Sequence, residues 1–164
     1  MRNKEIQITK EYPSLSSKDI YKAMLNCFDA YSKKDQSHPW YKAGSLAFDI
    51  KNFPSEFTKG AVNSRCLGVD TVCDFHVHSE NMITYHAYSS DGKVDLKASV
   101  KTFDTDGGVR IEYNLSLIRV PKLKSIVLQQ TTKFMAPLIM GVLADIARKS
   151  QKSEEPEQLV PEAS

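Results

Sequence analysis

The sequence has few cysteines, no long apolar run and almost no net charge. Its three cysteines include no CxxC pair, which argues against a disulfide framework and indicates a reducing compartment. The longest apolar stretch, 134–143, is far shorter than the ~20 residues that cross a bilayer. The charged segment 1–10 lacks the apolar region of a secretory signal. These absences predict a cytoplasmic protein with no transmembrane segment.

Charge of neither sign dominates the chain. The 22 basic and 20 acidic residues leave a net charge of +2, and no basic stripe suggests nucleic-acid binding. A 41% apolar fraction over 164 residues is ordinary for one globular domain. We expect a single domain over residues 1–149. We expect residues 150–164 to be a disordered tail, because they are rich in Glu, Gln, Pro, Ser and Lys.

Strand-like runs fill the middle of the sequence. One precedes the first helix, at 5–12, and about six follow it. In 93–103 and 109–119, apolar residues alternate with polar ones, which places one set on a core face and the other in water. Asp-Gly turns at 91–92 and 106–107 bracket these two strands and predict hairpins. An antiparallel sheet with one wet face needs a cover on its apolar face.

Two long helices are predicted, one before and one after the run of six strands, with a short helical turn opened by Pro39 between the first helix and those strands. Ser16 or Ser17 can cap the first, with Asp19 in its first turn. The second, over 122–149, is the predicted cover of the sheet. One of its faces carries apolar or small residues at helical spacing, and further apolar residues exceed a single stripe. The excess could pack on the sheet, on a second copy of the protein or on a membrane surface. The face comprises Leu123, Val127, Gln130, Phe134, Leu138 and Gly141.

Pro137 interrupts the pattern of the second helix. A proline inside a helix removes a backbone hydrogen bond, here to the carbonyl of Lys133. We therefore expect a kink between Lys133 and Pro137 that lets the second half follow the sheet, with Gly141 permitting a close approach. Such a kink would also shape or gate a ligand entrance.

The order of elements resembles the helix-grip fold of the START/Bet v 1-like (SRPBCC) superfamily, which includes polyketide cyclases and one type of carbon monoxide dehydrogenase protein. The resemblance covers about residues 4–149. It rests on the segment 16–21 that opens the first helix, on Trp40, on the turn 106–108 and on the closing helix. It implies an α+β fold, a curved antiparallel sheet of six to seven strands around a long C-terminal helix. It also implies a cavity between sheet and helix, often for lipids, sterols or aromatic polyketides.

The leading functional hypothesis is non-catalytic binding of an apolar or amphipathic small molecule in that cavity, without a cofactor. Such pockets are mostly apolar, with a few polar groups. Candidate ligand-binding residues are the apolar and polar-tipped side chains of strands four to seven and of the closing helix. They are Phe75, Val77, Tyr85, His86, Tyr88, Leu96, Val100, Ile111, Tyr113, Leu115, Phe134 and Leu138.

Two alternatives of other classes stay open. A cyclase-like or hydrolase-like enzyme could use Tyr85, His86 or Tyr113 as acid–base groups. An interaction module could instead form a homodimer through the C-terminal helix. Either alternative would leave the predicted fold unchanged.

A metal site of His76, His78 and His86 is the weaker interpretation of three neighbouring histidines. A two-residue turn at 80–81 would pair His76 with Tyr85 and place His86 on the opposite face from His76. The first two histidines would then face water while their apolar neighbours face inward. We therefore predict no metal.

Overall fold

The computed structural model describes residues 4–39, 41, 49–52, 54, 56–66 and 68–154. They form an α+β helix-grip arrangement, which confirms the predicted fold class. Among the described residues, the main helices and strands follow one another in the predicted order. The elements are β1 (Lys4–Pro13), α1 (Ser17–Ser32), β2 (Asp49–Asn52), β3 (Lys59–Cys66), β4 (Val69–Ser79), β5 (Met82–Ser89), β6 (Asp95–Thr105), β7 (Gly108–Arg119) and α2 (Lys122–Glu154).

All seven strands join one antiparallel sheet in the order β1-β7-β6-β5-β4-β3-β2. The strands from β2 to β7 each pair with the next in sequence, as short hairpin connections dictate. The first strand pairs instead with the last, along its whole length from Lys4 opposite Leu117 to Pro13 opposite Gly108. This pairing brings the start of α1 beside the β6–β7 hairpin.

One face of the sheet, here called the inner face, carries the core. In β7 the buried residues fall at alternate positions, as the sequence predicts for a strand with one wet face. They are Val109, Ile111, Leu115 and Leu117. Because paired residues share a face, the register extends the inner face from Tyr113 to Val100 of β6 and then to Ile83 of β5.

A capping box fixes the start of α1. The backbone N–H of Asp19 donates to Ser16 Oγ at 3.2 Å, and the backbone N–H of Ser16 donates to Asp19 Oδ2 at 2.8 Å. These bonds satisfy orphan donors of the first turn, which confirms Ser16 as the cap. Asp104 of β6 accepts a further bond from the Ser17 backbone N–H at 2.7 Å. The helix therefore begins at a fixed point beside the β6–β7 hairpin.

The C-terminal half of α2 packs against α1 through small residues. Small side chains on both helices allow the two helix axes to approach closely. The buried residues of this helix pair form the main core together with Val109 and Ile111 of β7. On α1 they are Ala23, Cys27 and Ala30, and in this half of α2 the buried residues are Met140, Leu143, Ala144 and Ala147.

The far end of α2 differs from the prediction. The helix continues to Glu154, five residues beyond the expected end at Lys149, and Glu154 Oε1 pairs with Lys22 Nζ of α1 at 3.2 Å. Residues 155–164 of the predicted tail lie outside the described residues.

The helix is also continuous through Pro137. A Cβ built on Gly141 would meet nothing within 4 Å, so the predicted close approach at this glycine is wrong.

A smaller cluster of buried residues lies at the other end of the inner face. Ile6, Leu115 and Leu117 form it, and Leu128 from the N-terminal half of α2 packs on its edge. Tyr113 borders both this cluster and the main core. The core is therefore divided in two along β7, with Tyr113 between its parts.

Candidate ligand-binding site

The inner face of the middle strands is only partly covered. Tyr85 of β5 lies opposite Ala98 of β6, and Tyr113 of β7 lies opposite Val100. All four side chains retain partial solvent exposure, although they occupy the face that carries the core elsewhere. A sheet face that is apolar but incompletely packed leaves room for a ligand. We call these four residues, with Val77 of β4, the inner wall.

Helix α2 makes its closest backbone approaches away from the strands of this wall. Its packing is chiefly against α1 and β1, and it approaches β7 at fewer points. The N-terminal half of the helix directs Ser125, Leu128 and Ala136 inward, where Gln129 Nε2 donates to Ser125 Oγ at 3.0 Å. The helix therefore presents mainly small and polar groups, rather than a row of large apolar ones, toward the sheet.

Three neutral polar groups lie on the inner face. Burial raises the pKa of Tyr85, raises the pKa of Tyr113 to about 12, and raises the pKa of Cys73 to about 11. Cys73 contributes a further electrostatic increase to the pKa of both tyrosines, so the three groups are neighbours. Each stays protonated at neutral pH. The hydroxyls can therefore donate hydrogen bonds to an acceptor, but they are poor bases.

An aromatic cluster borders the β3–β4 side of the inner face. Phe57 stacks on the buried Phe75 of β4 with ring centroids 6.0 Å apart, and Phe28 of α1 lies 5.1 Å from Phe57. Aromatic pairs at these distances add packing energy beyond their buried area. The cluster ties α1 to this side of the sheet.

The structure brings eight of the twelve predicted ligand-binding residues to one face. Within each strand these residues occupy every second position, so their side chains point to the same side. The register then places them opposite one another across β4 to β7. Ile111 and Leu115 are fully packed within the two core clusters. The eight are Phe75, Val77, Tyr85, Leu96, Val100, Ile111, Tyr113 and Leu115.

His86 and Tyr88 lie on the opposite, outer face. They flank Ala87, whose partners Cys73 and Leu96 are on the inner face. His86 Nε2 lies 2.8 Å from Asp95 Oδ1. The carboxylate of Asp74, by its charge and a hydrogen bond, raises the pKa of Tyr88. The sequence interpretation grouped both residues with Tyr85. Because side chains alternate between the two faces along a strand, residues 86 and 88 lie on the face opposite to that of Tyr85.

Phe134 and Leu138 are also placed differently from the prediction. Their exposed fractions are 68% and 50%, and they project from the side of α2 opposite to its buried residues. The sequence interpretation assigned the stripe with the largest apolar side chains to the sheet. The buried stripe is instead the one rich in alanine, because close packing on α1 selects small residues. The alanines at positions 136, 144 and 147 recur on one side of the helix, and this spacing was the signal in the sequence that could have identified the buried side.

The three histidines share the outer face, contrary to the predicted register. His76 pairs with Thr84, and not with Tyr85, because a bulge between Val77 and Ser79 shifts the pairing by one residue. His76 and His78 rings lie 4.1 Å apart, and His78 Nε2 lies 2.8 Å from Thr84 Oγ1. Among the described residues, no group of three potential ligands has the geometry of a metal site.

Two shallow clefts lie where strands of the sheet end. One, of about 520 Å³, is lined by residues of the β4–β5 turn and of β6, including Asn81 and Phe103. The other, of about 510 Å³, lies between the start of α1 and the β6–β7 hairpin, beside Asp19 and Gly107. Neither lies over the inner wall, so neither is the pocket predicted from the sequence.

Comparisons with known proteins rest on structure alone. No protein-family model matches this sequence, and no curated protein matches it. Norcoclaurine synthase from Thalictrum flavum, solved as a point mutant in complex with a transition-state analogue, aligns with a TM-score of 0.63 at 12% identity. That alignment covers 92% of this chain and 99% of the synthase chain.

Two further structures share the arrangement. The Zhui aromatase/cyclase from Streptomyces sp. R1128 aligns with a TM-score of 0.62 at 6% identity, over 90% of this chain and 95% of its own. Ara h 8.0201 aligns with a TM-score of 0.54 at 13% identity, over 89% and 99%. Identities this low establish the fold alone. The chain therefore has the helix-grip fold of the START/Bet v 1-like superfamily.

Proposed function

We propose that this protein binds an apolar or amphipathic small molecule between the inner wall and the N-terminal half of α2. The observation that carries the proposal is the partial exposure of Tyr85, Val100 and Tyr113 on the inner face, which carries fully buried residues at both ends of β7. Leaving apolar side chains partly exposed costs about 25 cal/mol for each Å² that could be buried. A ligand that covers the wall recovers this energy.

The inner wall also indicates the polarity of the ligand. Its apolar members, Val77, Ala98 and Val100, provide a surface without charge, while Tyr85 and Tyr113 add two protonated hydroxyls. A neutral donor suits a carbonyl, ether or hydroxyl oxygen of the ligand better than it suits an anion. We infer a mostly apolar ligand with one or two hydrogen-bond acceptors.

The comparisons support the same type of ligand without naming it. An aromatase/cyclase and a norcoclaurine synthase with a bound transition-state analogue share this fold, and both names denote action on small organic molecules. Catalysis by this chain has weaker support. Of the candidate acid–base groups, His86 lies on the outer face, and the raised pKa values keep Tyr85 and Tyr113 from acting as bases. We therefore propose binding without turnover.

The setting proposed for this binding is the cytoplasm. Cys27 and Cys73 are both free thiols, and burial raises the pKa of each above its ordinary value of 9.0. Unpaired cysteines are typical of a reducing compartment.

Filling the proposed pocket should abolish binding. Ala98→Phe adds a ring on the inner wall, whereas Ser99→Phe adds the same ring to the next residue of β6, on the outer face. We expect Ala98→Phe to weaken binding of a neutral naphthyl ketone fluorophore at least about tenfold, since the added ring occupies ligand volume. Ser99→Phe should leave affinity within about twofold. Fluorescence titration measures both, and circular dichroism checks folding. Equal affinities for the two variants, or no binding by the native protein, would contradict the proposal.

Removing the hydroxyls should weaken binding of the same ketone more modestly. A hydrogen bond contributes about 0.5–1.5 kcal/mol net, so Tyr85→Phe or Tyr113→Phe should cost roughly two- to tenfold in affinity. Tyr88→Phe, on the outer face, is the matched control and should have no effect. The hydrocarbon analogue of the probe should not distinguish any of these variants from the native protein. A loss that is the same for ketone and hydrocarbon would argue against hydroxyl recognition.

A further inference from the structure

The N-terminal half of α2 carries a row of large apolar side chains on its solvent side. Leu123 and Phe134 are the most exposed, at 76% and 68%. Their spacing places them on one side of the helix, opposite Ser125, Ala136 and the other buried residues. We call this row the α2 apolar stripe. It consists of Leu123, Ile126, Val127, Phe134 and Leu138.

The stripe makes α2 unusual for the covering helix of a sheet. An 18-residue window of the helix is apolar enough, by length and composition, to cross a membrane, yet only 17% of that window is buried. The C-terminal half packs on α1 and continues to Glu154, so α2 is held along the body of the fold. A helix held in this way can lie in a bilayer interface but cannot cross the bilayer.

Charge around the stripe is positive. From residue 120 to residue 144 the sequence contains Lys122, Lys124 and Lys133 and no acidic residue. Lys122 and Lys133 are exposed. Long lysine side chains beside an apolar row can extend toward headgroups while the row enters the acyl boundary. An apolar row flanked by lysines is complementary to an anionic lipid surface.

We propose that the α2 apolar stripe docks the protein on an anionic lipid bilayer, with α2 lying in the plane of the interface. Burial of exposed Leu, Val and Phe side chains supplies the apolar part of the binding energy. The three lysines supply the electrostatic part, which falls as salt rises. The proposal is independent of ligand binding on the inner wall, because the stripe is on the other side of α2.

Charge argues against a second copy of the chain as the occupant. A symmetric pairing of two stripes would set the three lysines of each copy around one contact, with no carboxylate between residues 120 and 144 to offset them. Like charges facing each other destabilise a contact. A bilayer that carries negative headgroups has no such conflict.

Co-sedimentation with vesicles tests the proposal. The full chain should bind vesicles of phosphatidylcholine with about one-third phosphatidylserine, and it should bind pure phosphatidylcholine vesicles far more weakly. Leu123→Ser/Phe134→Ser should weaken binding at least about tenfold. Replacing Lys122, Lys124 and Lys133 by Gln should weaken it about fivefold per lysine at low salt. These positions are on the surface, so folding should be unaffected.

Matched controls separate the stripe from general effects. Leu25→Ser removes an exposed leucine on α1, and a triple Gln variant of Lys10, Lys18 and Lys59 removes three exposed lysines from other elements. Both should bind vesicles like the native protein. Ala98→Phe should also keep full vesicle binding, which distinguishes docking of the stripe from uptake of a lipid into the pocket.

Three results would overturn the proposal. The first is no binding to either vesicle. The second is binding that the stripe and lysine variants leave unchanged. The third is a dimer in sedimentation velocity that Phe134→Ser dissociates, in a protein that does not bind vesicles, which would assign the stripe to a second copy.

Discussion

Raising the pH from about 8 to about 10.5 should lower the free energy of unfolding by roughly 2–4 kcal/mol. The reason is a set of thiol and phenol groups whose pKa values are raised chiefly by burial. Burial raises the pKa of Cys27 from 9.0 to about 12 and that of Tyr31 from 10.0 to about 12. The pKa values of Cys73, Tyr85 and Tyr113 are raised by burial as well.

The direction of this effect follows from which state loses its protons first. Below about pH 9 these groups are protonated in both states, so their contribution to stability is fully present. Between about pH 9 and about pH 12 the unfolded chain ionises while the folded protein stays protonated. The unfolded state then binds fewer protons than the native state, and stability falls as pH rises. The loss is complete once the pH exceeds the folded pKa values.

Urea unfolding at the two pH values measures the loss, and tyrosinate absorbance assigns it. The buried tyrosines should titrate late in the folded protein, whereas all seven tyrosines should titrate together in denaturant. Tyr85→Phe/Tyr113→Phe should reduce the pH slope by about a quarter, since each unfolded tyrosine, with an ordinary pKa of 10.0, ionises less below pH 10.5 than a thiol with an ordinary pKa of 9.0. A stability that stays flat up to about pH 10.5 would show that these groups are hydrated in the folded protein.

The fold was largely predictable from periodicity. The alternation in β6 and β7, the Asp-Gly turns between strands and the Ser16–Asp19 cap all act within a few residues, and all are confirmed by the register, the turn glycines and the capping bonds. Local patterns of this kind are set by backbone geometry and need no tertiary information. The pairing of β1 with β7 joins distant segments, and no local signal in the sequence predicts it.

The candidate site was harder to predict because it depends on faces and register. Helix α2 has two apolar stripes, and hydrophobicity alone favours the one with Phe134 over the one with Ala144. Only the presence of α1 decides the choice, since helix–helix contact selects small side chains. The bulge between Val77 and Ser79 likewise shifts the β4–β5 pairing by one residue and moves His86 to the same face as His76.

Gly108→Ala should destabilise the protein by about 3 kcal/mol, because β1 passes directly over this residue. A Cβ on Gly108 would overlap the carbonyl oxygen of Tyr12 and would lie 3.0 Å from Pro13 Cα. Both atoms belong to the backbone of β1, so they cannot rotate away as a side chain can. The neighbouring Gly107 accepts a hydrogen bond from the Ser14 backbone N–H at 2.7 Å, which holds the hairpin and β1 together.

The sequence marks both glycines of this hairpin alike, yet they have different roles. Gly107 has a φ of +86°, which the turn requires, whereas Gly108 is needed for the close approach of β1. Gly141→Ala is the matched control. Gly141 lies away from both ends of α2, and a Cβ added there would meet nothing within 4 Å. It should stabilise the protein by about 0.5–1 kcal/mol, as Ala does relative to Gly within helices. Chemical denaturation of both variants should therefore give opposite signs. A Gly108→Ala protein as stable as the native one would mean that β1 moves freely at its junction with α1, and that this end of the sheet does not fix the start of the helix.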